Sequence, residues 1–291
     1  MKRPPPLREI IKYYGIGARK ALGQHFLLDP NLCARIARST GALEKINVIE
    51  IGPGPGGLTR ELLDLGAKTI IAIERDSRCV KALLELSSAH SERLKIIEAN
   101  ALEIDLVALI PKPRRIIANL PYNIATRLLL GWLNQINEFD SLTLMFQKEV
   151  AERLVASPGS KSYGRLSIIT QWLCKTQHNF DISRHAFTPS PKVDSSVVTL
   201  TPRPHPLAPA SKKSLEIVTA MAFGQRRKML RSSLKALNIE FNKLGIEPTA
   251  RAEELSIEQF CSIANSVTDW GPIHGQISLI QPGGHALSVR R

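Results

Sequence analysis

Between residues 46 and 119 short apolar runs alternate with stretches of helical periodicity. "INVIEI" (46–51), "TIIAIE" (69–74), "LKIIEA" (94–99) and "RRIIAN" (114–119) are rich in β-branched residues with little polar alternation, which predicts strands covered on both faces. "LTRELLDLG" (58–66) and "RCVKALLELSS" (78–88) place apolar residues three and four apart and predict the covering helices. "SLTLMFQ" (141–147) predicts a fifth strand, and "KEVAERLVAS" (148–157) and "RLSIITQWLC" (165–174) predict helices after it. "TQHNFDIS" (176–183) and "DSSVVTLTP" (194–202) predict a terminal strand pair. Strand and helix in alternation define an α/β, doubly wound, Rossmann-like layout.

The pattern changes at "TPRPHPLAPA" (201–210), where four prolines in ten residues exclude a sheet interior and predict a linker. Beyond it, "SLEIVTAMAFGQRRKMLRSSLKAL" (214–237) and "TARAEELSIEQFCSIANSV" (249–267) predict helices, followed by a polar, mobile tail, "QPGGHALSVRR". The expected organisation is a catalytic domain over 1–204, with a basic arm at 1–19, and a small helical domain over 205–291.

Composition adds three constraints. Hydrophobic residues make up 43% of the chain and charged residues 22%, as in a globular protein, and no apolar run approaches the ~18 residues of a membrane span. The start, "MKRPPPLREIIKYYGIGARK", has no apolar signal core, so a cytoplasmic chain is expected. Cys33, Cys79, Cys174 and Cys261 are too scattered for a metal or disulfide framework, and no metal is expected. The net charge of +13, from 39 basic and 26 acidic side chains, points to a polyanionic partner such as nucleic acid. Aromatic residues are only 5% of the chain, which favours backbone contacts over a broad stacking platform.

"EIGPGPGGLT" follows the first strand, and Gly52, Gly54 and Gly57 satisfy G-x-G-x-x-G. Glu74 closes the second strand, 17 residues past Gly57, where an acid can bind ribose hydroxyls. NAD fits the literal motif, but Pro53 and Pro55 remove two N–H donors from the turn and weaken it as a pyrophosphate cradle. S-adenosyl-L-methionine, an adenosine with an amino-acid arm and no phosphate, fits better. Asn100, after the third strand, is placed to reach the adenine.

"NLPY" (119–122) ends the fourth strand at the carboxyl edge of the sheet and matches the [N/D/S]-x-P-[Y/F] pattern of methyltransferases acting on planar amino nitrogens. The amine of adenine is a poor nucleophile because its lone pair is delocalised into the ring. If the Asn119 side-chain carbonyl and the Leu120 backbone carbonyl accept its two N–H bonds, the nitrogen can pyramidalise toward a methyl donor. Pro121 stiffens the turn, and Tyr122 can stack on the base.

With these motifs placed, the chain from about residue 17 to 262 resembles the small-subunit ribosomal RNA adenine dimethyltransferases, the enzymes linked to kasugamycin sensitivity. The resemblance is carried by "KALGQHFLLD" (20–29), "VIEIGPGPGGLT", "IAIERD", "IIANLPYNI", "AFTPSPKVDSSVV" (186–198) and "AFGQRRKMLRSSL" (222–234). It implies cofactor contacts from His25, where the family usually has Asn, from the Leu27 backbone, and from Gly52, Glu74, Asn100 (usually Asp) and Asn119. It also implies Phe187 as a second aromatic face around a flipped adenine. Arg226, Arg227, Lys228, Arg231 and Lys235 are expected to contact RNA, with Arg227 and Arg231 one helical turn apart. The implied reaction transfers two methyl groups to each of two adjacent adenosines in the 3′-terminal hairpin of 16S ribosomal RNA, on an assembling small (30S) subunit, by a monomeric enzyme. Two other readings remain: a large-subunit ribosomal RNA methyltransferase of the macrolide-resistance type, and a non-catalytic RNA-binding factor.

Overall fold

The computed structural model describes residues 5–267. The expected mobile tail lies outside them. The described residues form two compact units, one running to residue 155 and resuming over 173–204, the other of 156–172 and the residues from 205 on. The segment 156–172, expected to belong with the sheet, is grouped with the C-terminal residues.

The first unit is built on a seven-stranded sheet: β1 (Asn47–Ile51), β2 (Thr69–Glu74), β3 (Leu94–Glu98), β4 (Arg114–Asn119), β5 (Ser141–Gln147), β6 (Cys174–Ile182) and β7 (Ser195–Pro202). Their spatial order is β3-β2-β1-β4-β5-β7-β6. The first five are parallel, and β7 runs antiparallel to both β5 and β6. Every residue of β1 is buried, whereas Ile96 and Ile97 of the edge strand β3 are partly exposed. Helices α1 (Leu7–Tyr13), α2 (Pro30–Arg38), α3 (Gly57–Asp64), α4 (Ser77–Ser88), α5 (Leu106–Leu109), α6 (Ala125–Trp132) and α7 (Lys148–Val155) complete the unit. Val48, Ile70, Ala72, Ile117, Met145 and Val197 form one core with Cys33 and Ile36 of α2 and Leu58 and Leu62 of α3. Helix α2 and the short α1 were not anticipated. A proline at N1 and the Asp29 carboxylate, which accepts the Asn31 N–H at 2.9 Å, start α2.

Strand order reverses at β1. Its neighbours β2 and β4 are reached by connections leaving in opposite directions, so the loops after β1 and β4 separate at their carboxyl ends and leave a crevice. The opposite end of β4 is closed by Arg114, which is 5% exposed. Its Nη1 donates to the Val107 and Ile110 carbonyls at 2.5 and 2.6 Å, satisfying the open end of α5. Its Nε donates to the Glu138 carbonyl at 2.8 Å, and its Nη2 pairs with the Glu138 carboxylate at 3.0 Å.

In the second unit, α8 (Arg165–Leu173), α9 (Lys212–Gly224) and α11 (Ile257–Ser266) bury Ile168, Leu215, Val218, Phe260 and Ile263. The expected long helix over 214–237 stops at Gly224. Residues 225–229 form turns, Met229 bridges to Arg251, and the short α10 (Leu230–Ser233) follows. The pattern over 249–267 yields a helical turn at Ala252–Glu254 and then α11. The Ser256–Gln259 capping box sets the start of α11: Gln259 N–H donates to Ser256 Oγ at 3.2 Å, and Ser256 N–H to Gln259 Oε1 at 2.9 Å. The segment around the prolines is partly tethered, with Leu207 N–H and Trp172 Nε1–H donating to the Trp172 and Ala208 carbonyls at 2.8 and 2.7 Å.

Arg114→Leu strips charge-assisted bonds from buried carbonyls and is expected to lower stability by about 3 kcal/mol. Chemical denaturation should show the midpoint shift with an unchanged slope.

Candidate active site

The crevice at the carboxyl ends of β1 and β4 is a cleft of about 1110 Å³, counted out to its open mouth. The glycine loop, Glu74, Asn100, the 119–122 turn and the segment 21–27 line it together. Gly52 and Gly54 adopt φ of +64° and +56°, a region a side chain disfavours, and a β-carbon on Gly54 would come within 3.1 Å of the Phe26 ring.

Glu74 is 7% exposed. Its Oε2 accepts the Gly54 N–H at 3.0 Å, and its Oε1 accepts the N–H groups of Arg75 and Asp76 at 2.7 and 2.8 Å. The glycine loop and the acid are therefore one hydrogen-bonded assembly, and the carboxylate is held in a single orientation. Burial holds this carboxyl above the ordinary range, against the pull of the three donors. Beside it, Asp76 caps α4 and is drawn down to about 2, first by the Arg78 guanidinium. Gln24 Nε2 donates to Asp76 at 3.0 Å, and Arg78 donates to the Gly15 and Gly17 carbonyls at 3.0 and 2.9 Å. These bonds lash the N-terminal segment over the end of β2.

Glu50, one residue from the end of β1, was not anticipated. It lines the cleft and is 1% exposed, and its Oε2 has no hydrogen-bond partner among the described residues. Burial pushes its carboxyl up to about 8, with the Glu74 charge adding to the rise and a hydrogen bond with Thr59 opposing it. A buried carboxyl with one oxygen unpartnered next to a glycine loop suits a cationic group on a ligand. The sequence signal was an acid inside an otherwise apolar strand. Cys33 also lines the cleft, but burial pushes its thiol up to about 12, where it is no nucleophile. All four cysteines are free and buried.

Across the cleft, Asn119 is the last residue of β4, and its Nδ2 donates to the His25 carbonyl at 3.3 Å. That bond identifies Oδ1 as the acceptor end of the amide. Leu120 is buried, and Tyr122 is half-buried with its hydroxyl hydrogen-bonded to Ser195 Oγ at the start of β7. Burial raises the Tyr122 phenol. The serine partner was not legible, because it reaches Tyr122 only through the antiparallel pairing of β7 with β5. The Asn100 amide closes a turn, donating to Glu103 Oε1 at 2.5 Å and accepting the Leu102 N–H at 3.2 Å. Leu27 is buried in a two-residue pairing of Phe26–Leu27 with Phe187–Thr188.

Phe187, expected to face Tyr122, is 4% exposed, does not line the cleft, and shares the core with Leu27, Ile182 and Val197. Successive side chains in a strand point to opposite sides, and here Phe187 turns inward while Thr188 turns out. The ring that lies against Tyr122 is His25, at a centroid separation of 5.5 Å and an interplanar angle of 25°.

In the second unit, Arg226, Arg227, Lys228, Arg231 and Lys235 are exposed. They do not share one helix: the first three lie in the turn after α9, Arg231 in α10 and Lys235 in the turn Lys235–Leu237. Gly224 and the non-helical Gln225 break the periodicity. Arg226 is engaged by the Glu253 carboxylate at 2.5 Å and the Lys161 carbonyl at 2.7 Å.

A glycine-loop and acid assembly facing an Asn-x-Pro-Tyr turn across the switch point of this sheet defines a Rossmann-like methyltransferase. The family model for ribosomal RNA adenine dimethylase matches residues 16–269, and the chain belongs to that family. It is 57% identical over 272 residues to the ribosomal RNA small subunit methyltransferase A of Rhodospirillum rubrum, covering 92% of this chain and 94% of that protein. Identity to the protein of the same name from Paramagnetospirillum magneticum is 58% over 266 residues, covering 90% and 95%. Among solved structures it is similar to a dimethyladenosine transferase from Plasmodium falciparum (TM-score 0.69, 26% identity, 82% of this chain and 96% of that one). The 23S rRNA methyltransferase ErmE gives a TM-score of 0.65 at 26% identity, over 84% and 100% of the two chains.

Glu50 yields a prediction for the ligand-free protein. An acid that ionises near 4.5 when unfolded and near 8 when folded keeps its proton longer in the native state. Its stabilising contribution is intact below about 4.5 and is lost as pH climbs to about 8. Glu50→Gln should flatten this decline, and thermal unfolding across that window, with and without the substitution, checks it.

Proposed function

We propose that this protein transfers methyl groups from S-adenosyl-L-methionine to the exocyclic amines of two adjacent adenosines in the 3′-terminal hairpin of 16S ribosomal RNA, acting on a maturing 30S subunit. The observation that carries the reading is the Asn119 amide, fixed by its bond to the His25 carbonyl, at the rim of a cleft whose opposite wall holds two buried carboxyls. The choice of the small subunit rests on the name shared by relatives more than half identical to this chain. The similarity to ErmE is the argument for the large subunit as the alternative, and it is the more distant one.

S-adenosyl-L-methionine, when bound, supplies an electrophilic methyl group on a sulfonium. Glu74 would accept its ribose hydroxyls, with both carboxylate oxygens already oriented by N–H donors. Glu50 would answer its ammonium group, and the loop around Gly52 and Gly54 lets backbone approach it closely. The backbone of Leu27 and the amide of Asn100 complete the pocket wall.

On the substrate side, Asn119 Oδ1 and the Leu120 carbonyl accept the two amine N–H bonds. Accepting both pulls the nitrogen out of the ring plane and localises its lone pair, and donors and acceptors placed in advance spend nothing on reorganisation during the reaction. Tyr122, locked by Ser195, offers the base a flat face. No strong base is needed at the amine, because an amino nitrogen that has gained a methyl is acidic and gives its proton to water. Holding nitrogen and methyl in line accounts for most of the advantage; well-oriented groups reach effective molarities of order 10⁵ M or more. Arg227, Lys228, Arg231 and Lys235, with Arg226 less available, would contact RNA phosphates.

Tritiated methyl incorporation should label small subunits and leave large subunits, naked ribosomal RNA and DNA near background; label on large subunits alone would establish the alternative. Asn119→Ala should lower kcat by about 10²-fold or more while cofactor affinity changes little. Charge reversal at Arg227 and Arg231 should reduce the slope of log affinity against log salt by about 1–2. An unchanged slope would make that surface a solvated face only.

A further inference from the structure

Helix α1 has one side fixed to the fold and one side bare. Leu7 and Ile10 are buried, and Ile10 packs with Ile16, Phe26, Cys79 and Ala82, which seats the helix against α4 and against the segment leading into the cleft. The Tyr14 hydroxyl is hydrogen-bonded to Glu85 of α4, and Arg78 holds the Gly15 and Gly17 carbonyls just beyond. On the other side Arg8, Glu9, Lys12 and Tyr13 are exposed. Tyr13 is 79% exposed, more than any other large apolar residue among those described. It meets Tyr14 edge to face, with 5.0 Å between centroids and 81° between planes, so most of its ring is left to solvent. The backbone beneath the ring is held, and the ring itself does nothing for the core.

We propose that α1 is an RNA-docking arm, with Tyr13 stacking on an unpaired base while Lys12 and Arg8 meet the neighbouring phosphates. The proposal rests on the reading of the substrate as RNA. An exposed tyrosine is ordinary by itself; its charged surroundings set this one apart. The first twenty residues carry Lys2, Arg3, Arg8, Lys12, Arg19 and Lys20 against Glu9 alone. That acid stands in the first turn of α1, where it answers the helix dipole. Arg8 and Lys12 are one helical turn apart, and Lys81, one turn before Glu85 on α4, is another exposed cation. Every base has a flat face, so an aromatic ring set among cations suits a single strand and is indifferent to its sequence. An acidic protein surface would use the cations and leave the ring face unfilled. Ala21, in the cleft wall, is eight residues further along the chain, so Tyr13 lies within about 28 Å of it whatever the path. RNA with a target adenosine in the cleft therefore brings its flanking nucleotides within reach of the arm.

The test uses the full-length protein, a short fluorescein-labelled oligouridylate read by anisotropy, and small subunits lacking the methylation. Tyr13→Ala should weaken oligouridylate binding by about 10-fold, the scale of one lost base stack, while Tyr13→Phe stays within about 2-fold of wild type. The slope of log affinity against log salt should be unchanged in both, and Lys12→Gln should reduce it by about 0.7, one phosphate contact on a single strand. On small subunits Tyr13→Ala should raise KM by about 10-fold, with kcat and cofactor affinity within about 2-fold and thermal unfolding unmoved. Wild-type affinity for oligouridylate in Tyr13→Ala overturns the arm. So does a Tyr13→Phe protein as weak as Tyr13→Ala at wild-type thermal stability. Weaker binding to small subunits with oligouridylate binding intact assigns the ring to a ribosomal protein and also overturns it. Should wild type label no small subunits while Tyr13→Ala still loses the oligouridylate, the proposed reaction fails and the arm stands.

Discussion

Two carboxyls buried on adjacent strands govern this cleft. Glu50 lies one residue from the end of β1 and Glu74 ends the adjacent β2; they are 1% and 7% exposed, burial raises both carboxyls, and the Glu74 charge adds to the rise at Glu50. Glu74 is reconciled to burial by three backbone donors, and Glu50 by keeping its proton. A core built only for stability would place leucine at position 50. The acid is tolerated because the switch point opens the sheet there and a ligand can complete the arrangement. The glycine loop, the lashing of residues 15–24 through Arg78 and Asp76, and the placing of Asn119 all follow from forming that opening.

The sheet was legible because parallel strands covered on both faces are written as apolar runs, and each of the seven falls within about two residues of its predicted span. Its loops were legible wherever the chemistry is local: the Gly52–Gly57 turn, Glu74 closing its strand, Asn119 at a strand end. What escaped depends on pairing between distant segments. Nothing in "AFTPSPKVDSS" says that Phe187 turns inward, since strand parity is set by its two-residue pairing with Phe26–Leu27. Ser195 reaches Tyr122 only after β7 has joined β5. The helical reading of 214–237 failed for the opposite reason. Its apolar spacing was real, but Gly224 and the pairing of Met229 with Arg251 outweighed local propensity.

The chain divides its work between shape and charge. In the first unit a few polar atoms of the cleft, on Glu74 and Asn119, are fixed by hydrogen bonds. In the second, basic side chains stand on turns and short helical segments, where Arg226 is already held by Glu253 and its neighbours are exposed. Under the proposed function, contacts of the latter kind would position a polyanion without reading its bases, and selectivity for adenine would be left to the cleft.

The route of the chain has a consequence for how the protein can be divided. After α7 the backbone leaves the sheet, contributes residues 156–172 to the other unit, returns for β6 and β7, and departs again at 205. No single cut separates the units. A truncation after residue 204 would keep 156–172 while removing the rest of the unit they belong to, including the Ala208 carbonyl to which Trp172 Nε1–H donates, and would invite aggregation. A separable fragment would need a short turn in place of 156–172, joining the end of α7 to the start of β6.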